Sequence, residues 1–235
     1  MGNNSSFIFR SRPKQGKFEP NDKDGNILFS TLTLNGRARN QLCENAPELV
    51  PYFETILRVV TLPDDFYIPR SLTRLDDCLY LGDINDARDL DQLKHHNITN
   101  VINTAESSFE DDENYTTSLY DSAFKYMGFP GLDREDYPIM SHFKEIHIFI
   151  ENARKNNEKC LIHCMRGVNR SGVLAVAHIM VKNNLGPITA SQLVYQKRGM
   201  LLTNPSFISQ LLIYAQQNGY TELDKDHVLL SQSSK

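Results

Sequence analysis

Apolar residues in this sequence cluster into short runs that are typical of buried β-strands. The runs contain few polar residues, which indicates strands covered on both faces, as in a parallel sheet. They lie near residues 77–82, 98–103, 124–128 and 159–163. Helical patterns alternate with them. This order predicts an α/β fold with a mostly parallel central sheet of about five strands, flanked by helices on both faces.

One helical pattern is clear between the last two runs, at residues 138–155. Its apolar positions recur every three or four residues, which places them on one face of a helix. They are Ile139, Phe143, Ile146, Ile150 and Ala153. His142 and His147 lie among them, and we interpret both as partly exposed or core histidines rather than metal ligands.

A second amphipathic helix is predicted at residues 46–60, before the first strand. The apolar residues that can share one face of it are Leu49, Tyr52, Phe53, Ile56, Leu57 and Val60. Two interpretations are open: this face packs on the rest of the protein, or it binds a partner. Packing is the favoured one, because an apolar helix face usually contributes to a core.

The candidate chemistry is concentrated in the stretch 163–172, between the run 159–163 and an apolar helical segment at 172–181. A strand, a tight loop and a helix N-terminus in this order direct backbone N–H groups at one point, where the helix dipole adds positive charge. The stretch therefore predicts an anion-binding loop. Cys164 begins this loop and should ionise easily, because the field that binds phosphate also stabilises a thiolate.

The residue types in the loop suit phosphoryl transfer. Gly167 lets the backbone turn and approach an anion closely, and Arg170 can bind two phosphate oxygens with its planar guanidinium. Cys164 is then placed to attack phosphorus in line and form a phosphocysteine. Ser171 can donate a hydrogen bond to the sulfur, and His163 is expected to orient the loop rather than act as a base. The predicted substrate-binding residues are His163, Met165, Arg166, Gly167, Val168, Asn169 and Arg170.

Composition narrows the class of protein. The chain has 235 residues, of which 40% are hydrophobic and 23% charged, as expected for a globular protein with one substantial core. A net charge of −4 argues against a general nucleic-acid binder. No apolar run approaches the ~20 residues that span a bilayer.

The four cysteines show no metal-site spacing, so neither a metal nor another cofactor is expected. A catalytic thiolate suits a reducing compartment, and we therefore expect a cytoplasmic protein. Cys78 has two interpretations. It is either an ordinary buried thiol or a neighbour of Cys164 that protects it reversibly, and the buried thiol is favoured.

Residues 1–40 are polar, basic and without periodicity, which predicts a flexible basic tail. The start Met1-Gly2-Asn3-Asn4-Ser5-Ser6 fits the N-myristoylation pattern, with Gly2 as the acceptor. A myristoyl chain together with the basic residues would give peripheral membrane association. The alternative is an ordinary polar N-terminus. Residues 41–73 are predicted to form a helical extension.

The pattern His163-Cys164, five residues, Arg170 and Ser171 resembles the signature of the cysteine-dependent protein phosphatases. It is most similar to the dual-specificity branch, including its viral and small atypical members. The resemblance covers about residues 74–218. It implies a catalytic domain at 74–220, a C-terminal tail at 221–235, and hydrolysis of phosphotyrosine and phosphoserine/threonine through a phosphocysteine.

The same resemblance implies that Asp133 is the general acid. A departing oxygen needs a proton as its bond to phosphorus breaks, and a carboxylic acid can supply it. Asp136 is the competitor in the same segment. Its other interpretation is a charge at the start of the helix near Pro138.

Three functions are alternatives to a protein phosphatase. An RNA 5′-triphosphatase is one alternative, because the active loop of those enzymes also resembles Gly-x-Asn-Arg and Asn169 fits that pattern. The negative net charge of the chain argues against RNA as a partner. A phosphoinositide phosphatase would be expected to have several basic residues inside the loop, whereas here Arg166 is the only basic residue between Cys164 and Arg170. An inactive phosphate-binding module is disfavoured because the nucleophile, arginine and acid are all present. The expected partner is a phosphoprotein substrate, with a protein kinase suggested only at the level of the family.

Overall fold

The computed structural model describes residues 26–60, 71–106, 120 and 124–225. Gly2, where myristoylation is predicted, lies outside the described residues. The stretch 107–119, which contains most of an acidic run, also lies outside them. Within the described ranges, no helix combines the length and apolarity needed to cross a membrane.

Five strands form a single sheet in the order β1-β2-β5-β3-β4. The short β1 is antiparallel to β2, and the other neighbours pair in parallel. The strands are β1 (Thr73–Arg74), β2 (Leu79–Gly82), β3 (Ile98–Asn103), β4 (Lys125–Gly128) and β5 (Lys159–His163). The predicted parallel strands are therefore confirmed, and β5, the last in the chain, lies at the centre of the sheet.

Eight α-helices occur among the described residues. They are α1 (Asn26–Asn45), α2 (Val50–Val60), α3 (Ile84–Arg88), α4 (Leu90–His95), α5 (Phe143–Lys155), α6 (Arg170–Asn183), α7 (Pro187–Arg198) and α8 (Pro205–Gln217). Three 3-10 helices accompany them, at Pro47–Leu49, Ile139–His142 and Tyr220–Asp224. The helix predicted at 138–155 is thus a 3-10 turn followed by α5.

Alternate residues of the parallel strands point to opposite faces of the sheet. Leu81 and Ile162 belong to the larger core, which also contains the buried faces of α5, α6 and α8. Tyr80 and Leu161 belong to a smaller core with Leu93 of α4. Helices therefore cover both faces, and the predicted α/β class is confirmed.

The helix predicted before the sheet packs on the rest of the protein. Phe53 and Ile56 of α2 are fully buried within the larger core, and α2 lies against α7 and α8. The packing interpretation is therefore correct, and this face has no room for a separate partner.

The flexible tail predicted for residues 1–40 is wrong for residues 26–40, which belong to α1. Ala38 and Leu42 are spaced by one helical turn and are buried in the larger core. Because α1 lies against α8, its stability comes from tertiary packing rather than from a strong apolar stripe.

The C-terminal tail predicted to begin at residue 221 is also wrong for its first residues. Residues Tyr220–Asp224 form a 3-10 helix, and Asp224 is fully buried. Its carboxylate accepts hydrogen bonds from Ile188 N at 2.6 Å and Thr189 Oγ1 at 2.7 Å. The side chain therefore caps the first turn of α7, a long-range contact that no local pattern announces.

Candidate active site

The predicted anion-binding loop follows β5 and precedes α6, at the carboxyl edge of the sheet. His163, the last residue of β5, pairs with Gly82 of β2 and Asn103 of β3. Since β5 lies between two strands that precede it in the chain, the sheet order reverses here. Ligand sites in open α/β sheets form at such positions, outside the carboxyl ends of the strands.

Two donors surround the sulfur of Cys164. Gly167 N lies 3.2 Å from Sγ, and Ser171 Oγ donates to it at 3.3 Å. The side chain is only 1% exposed, and burial alone would oppose ionisation. The charge of Arg170 and the hydrogen bonds from Ser171 outweigh burial, so the pKa of the Cys164 thiol is lowered.

Gly167 occupies a position that only glycine can hold without strain. Its φ is +63°, in the left-handed region. A Cβ atom here would also overlap the guanidinium of Arg198 and the carbonyl oxygen of Gly82. The tight turn and close approach that the sequence indicated at this residue are both present.

Arg170 is the first residue of α6 and is buried beside Cys164. Its Nη1 donates to the carbonyl of Gly131 at 2.9 Å. The Arg170 side chain thus supplies positive charge to the loop and also binds the segment that precedes Asp133. Of the other predicted loop residues, Arg166 is exposed, Val168 is buried, and Met165 is half-buried.

His163 lies beneath the loop and is almost fully buried. Burial lowers the pKa of its imidazole to about 4, so the ring is neutral near pH 7. Its backbone carbonyl accepts hydrogen bonds from N and Oγ1 of Thr104, each at 2.9 Å. A group with this pKa is a weak base near neutral pH. The carbonyl contacts fix the end of β5, and an orienting role for the imidazole stays a prediction.

Asp133 lies beside the loop. The amide of Asn169 donates to its two carboxylate oxygens at 3.0 and 3.2 Å, and the amide of Asn204 donates to Oδ1 at 3.0 Å. Asn169 Oδ1 in turn accepts hydrogen bonds from Thr203 Oγ1 at 3.0 Å and Asn204 N at 3.1 Å. The carboxylate is exposed, so it is tied to the loop yet open to a substrate.

Asp136 has a different environment. Its carboxylate forms a two-point contact with Arg134, at 3.0 and 2.7 Å, and this hydrogen bonding lowers the pKa of Asp136. A carboxyl group held ionised by a cation is a poor proton donor. The alternative interpretation as a helix cap is wrong, because no side chain caps the 3-10 helix at Ile139–His142.

An open groove leads away from the loop past both carboxylates. Its volume is about 510 Å³, and its lining residues come from the Asp133 segment, the loop and the start of α8. They are Asp133, Arg134, Glu135, Asp136, Asn169, Thr203, Asn204 and Pro205.

Two predictions about other residues, those for Cys78 and for the two histidines, have clear outcomes. The carbonyl of Cys78 accepts from Cys160 N at 2.9 Å, so Cys78 lies at the far end of β5 from Cys164. The idea that it protects Cys164 is wrong. His142 and His147 are half-buried, as predicted, and His142 stacks on Phe129. In the part of the chain that the structure describes, no three His, Cys, Asp or Glu side chains are grouped to bind a metal.

The sequence missed the contribution of two residues to this site. Asn204 is the N-cap of α8, and its Oδ1 accepts from Ser206 N at 3.1 Å. Its amide nitrogen also binds Asp133. Arg198, at the end of α7, reaches the loop from a helix that the sequence did not predict. Neither contact has a local signal, since both join segments far apart in the chain.

Comparisons with known proteins agree with this site. The chain is 35% identical over 133 residues to dual specificity protein phosphatase 15 from Homo sapiens, covering 57% of this chain and 42% of that protein. It is 31% identical over 142 residues to dual specificity protein phosphatase 1B from Arabidopsis thaliana, covering 60% of this chain and 80% of that protein. The chain spans about half the length of the first curated relatives that it matches.

A solved structure gives the same result. The crystal structure of DUSP15 superposes with a TM-score of 0.56 at 30% sequence identity, and the match covers 66% of this chain and 96% of that structure. The family model described as "Dual specificity phosphatase, catalytic domain" matches residues 79–217. This range begins at β2, ends with α8 and contains the whole loop. Because it makes up more than half of the chain, the protein belongs to the dual specificity phosphatase family.

Proposed function

We propose that this protein is a protein phosphatase that hydrolyses phosphotyrosine and phosphoserine/threonine through a phosphocysteine. The observation that carries the proposal is the environment of Cys164. A thiol this deeply buried should resist ionisation, yet Arg170, Ser171 and the loop N–H groups favour its thiolate. A thiolate below an anion-binding loop is the arrangement that nucleophilic attack on a phosphate ester requires.

In the first step, the Cys164 thiolate attacks phosphorus and an S–P bond forms while the ester P–O bond breaks. Arg170 and the loop N–H groups stabilise the charge on the phosphoryl oxygens. The leaving oxygen takes a proton from the carboxyl group of Asp133, which becomes a carboxylate. The dephosphorylated substrate then departs.

In the second step, water attacks the phosphorus of the phosphocysteine and transfers a proton to the Asp133 carboxylate. The S–P bond breaks, and inorganic phosphate and the Cys164 thiolate are released. The hydrogen bond from Ser171 Oγ to the sulfur stabilises the departing thiolate. Asn169 and Asn204 hold the carboxylate of Asp133 close to the loop, where it can accept this proton.

The alternative substrates have less support. The carboxylates of Asp133, Glu135 and Asp136 line the groove beside the loop together with the guanidinium of Arg134, and this excess of negative charge would repel a polyanionic RNA. Arg166 is the only exposed cation of the loop, while Val168 is buried, which offers little to a multiply phosphorylated inositol. A phosphoprotein segment fits the mixed polar groove better. A protein kinase as the particular substrate stays a prediction.

The proposal is tested by measuring phosphate release from matched substrates. Peptides of one sequence carrying phosphotyrosine, phosphoserine or phosphothreonine are compared with a phosphoinositide and a 5′-triphosphorylated RNA. We expect turnover of all three peptides and its loss in Cys164→Ser. The control Cys43→Ser changes an exposed thiol on α1 and should keep the parent rate. Equal rates for Cys164→Ser and the parent, or a faster reaction on RNA or phosphoinositide, would overturn the proposal.

A further inference from the structure

An anion-binding loop imposes a requirement on its own carbonyl groups. When successive N–H groups point inward at an anion, the carbonyls of the same peptides point outward. Each buried carbonyl then needs a donor from outside the loop, because an unpaired buried acceptor destabilises the folded protein. The donors that meet these carbonyls therefore help to fix the direction of the N–H groups.

Backbone donors meet the carbonyls near the two ends of the loop. Ile84 N, at the start of α3, lies 3.3 Å from the carbonyl oxygen of Met165. Leu202 N donates to the carbonyl of Val168 at 3.1 Å. These two peptides are thus tied to the body of the domain by main chain alone.

A single side chain serves the middle of the loop. Arg198 Nε donates to the carbonyl of Gly167 at 3.2 Å, and Nη2 lies 3.3 Å from the carbonyl oxygen of Arg166. Its third nitrogen, Nη1, points the other way, to Thr73 Oγ1 and the carbonyl of Leu81, each at 3.2 Å. The guanidinium therefore connects the middle of the loop to strands β1 and β2.

Burial makes this connection rigid. Arg198 is fully buried, and its guanidinium is in such close contact with Gly167 that no side chain fits there. The peptide that it holds includes Gly167 N, the donor that lies 3.2 Å from the sulfur of Cys164. A movement of the Arg198 guanidinium would therefore shift Gly167 N relative to the Cys164 sulfur.

We propose that Arg198 is a positioning residue for the catalytic loop: its guanidinium holds the Arg166 and Gly167 carbonyls outward, so that the loop N–H groups face the thiolate and the phosphate. The role rests on the proposed function, since it concerns the same loop. A lysine could not replace it, because one ammonium cannot reach two loop carbonyls and the strand acceptors in a fixed plane.

The test uses two measurements that need no turnover. The first is the rate of Cys164 alkylation by iodoacetamide as a function of pH, which reports the fraction of thiolate. The second is protection of Cys164 by inorganic phosphate, which gives the phosphate affinity of the loop. Both are made in a Cys43→Ser background, because Cys43 is exposed, and mass spectrometry confirms the alkylated peptide.

Arg198→Met should raise the pH midpoint of alkylation by about one unit and weaken phosphate protection about 10-fold or more. Arg198→Lys keeps the charge and should still lose most of the phosphate affinity. The matched control is Lys197→Met, since Lys197 also binds a distant carbonyl, that of Leu75 at 2.6 Å, but makes no contact with the loop. It should keep both parent values.

Parent values in folded Arg198→Met would overturn the inference, and so would full phosphate affinity in Arg198→Lys. If Arg198→Met does not fold, Arg198→Lys decides alone, because a guanidinium-specific role predicts its loss of phosphate affinity. Folding is checked by circular dichroism and thermal unfolding. If the Arg198 variants show these shifts but the parent protein hydrolyses no phosphopeptide, the proposed function is overturned and the role of Arg198 stands.

Discussion

Cys160 and Cys164 are both buried and lie within and just beyond the same strand, β5, yet their surroundings have opposite effects. Cys160 is enclosed by the larger core, and burial raises the pKa of its thiol well above the usual range. The pKa of the Cys164 thiol is lowered despite equal burial, because Arg170 and Ser171 lie beside it. Burial therefore does not set the reactivity of a thiol in this strand; the charges and hydrogen-bond donors at the end of the strand do.

Removing the charge should make Cys164 behave like Cys160. Arg170→Met is expected to lower kcat/KM for a phosphotyrosine peptide about 10³-fold, because the guanidinium stabilises both the thiolate and the transferring phosphoryl group. Arg170→Lys should recover part of the loss, since it restores the charge but not the two-point contact. A variant Arg170→Met with the kcat/KM of the parent would contradict this explanation.

The next effect separates the two carboxylates of the groove. Asp133→Asn should lower kcat about 10²-fold, because the leaving oxygen loses its proton donor. Asp136→Asn is the matched control from the same segment and should change kcat by less than about 2-fold, since its partner Arg134 holds it away from this role. Equal losses in the two variants, measured with the same phosphopeptide, would show that the assignment is wrong.

Ser171 is the second residue that distinguishes the surroundings of the Cys164 thiol from those of the Cys160 thiol. Ser171→Ala removes the hydroxyl that donates to the Cys164 sulfur and should slow release of the thiolate about 10-fold. The phosphocysteine should then accumulate in a rapid-quench experiment. Ser191→Ala removes another buried hydroxyl, which binds the Pro187 carbonyl on α7, and should leave the steady-state level of the intermediate unchanged. No accumulation in Ser171→Ala would remove this role.

Two buried histidines, His163 and His178, differ from Cys164 because burial is the largest influence on the pKa of each imidazole. Burial lowers the pKa of His163 to about 4 and that of His178 to about 3, so the folded protein holds both neutral. The unfolded chain binds protons below about pH 6.5, and stability is therefore lost as the pH falls through that value. Each histidine should cost about 0.7 kcal/mol between pH 7 and pH 6. Urea unfolding at the two pH values measures this, and an unchanged free energy of unfolding would contradict it.

The parts predicted from sequence are those whose signals are local. The strands of the parallel sheet are short apolar runs, and the loop from Cys164 to Arg170 carries its chemistry in consecutive residues. Helix α7 was not predicted, because its apolar residues do not form a clear stripe; it is held in place partly by the buried Asp224. The sequence predicts a tail where α1 begins because residues 1–40 as a whole are polar and basic, although Ile27, Leu28 and Phe29 in the first turn of α1 are apolar.

The site was predicted to the same extent and for the same reason. Cys164, Arg170 and Ser171 were predicted together because they lie in one loop, and the structure places all three in contact with or beside the sulfur. Asp133 came from the resemblance to the family. Two contacts of the site join separate elements: Asn204 binds Asp133, and Arg198 binds Gly167. Sequence spacing carries no information about such long-range contacts.

The central claim is that the sulfur of Cys164 accepts the phosphoryl group. Its most direct test is mass spectrometry of protein quenched with acid within milliseconds of mixing with a phosphotyrosine peptide. The account predicts one added phosphoryl group on the peptide that contains Cys164 and none on the peptide that contains Cys43. Release of phosphate while the Cys164 peptide stays unmodified, also in Ser171→Ala, would contradict it.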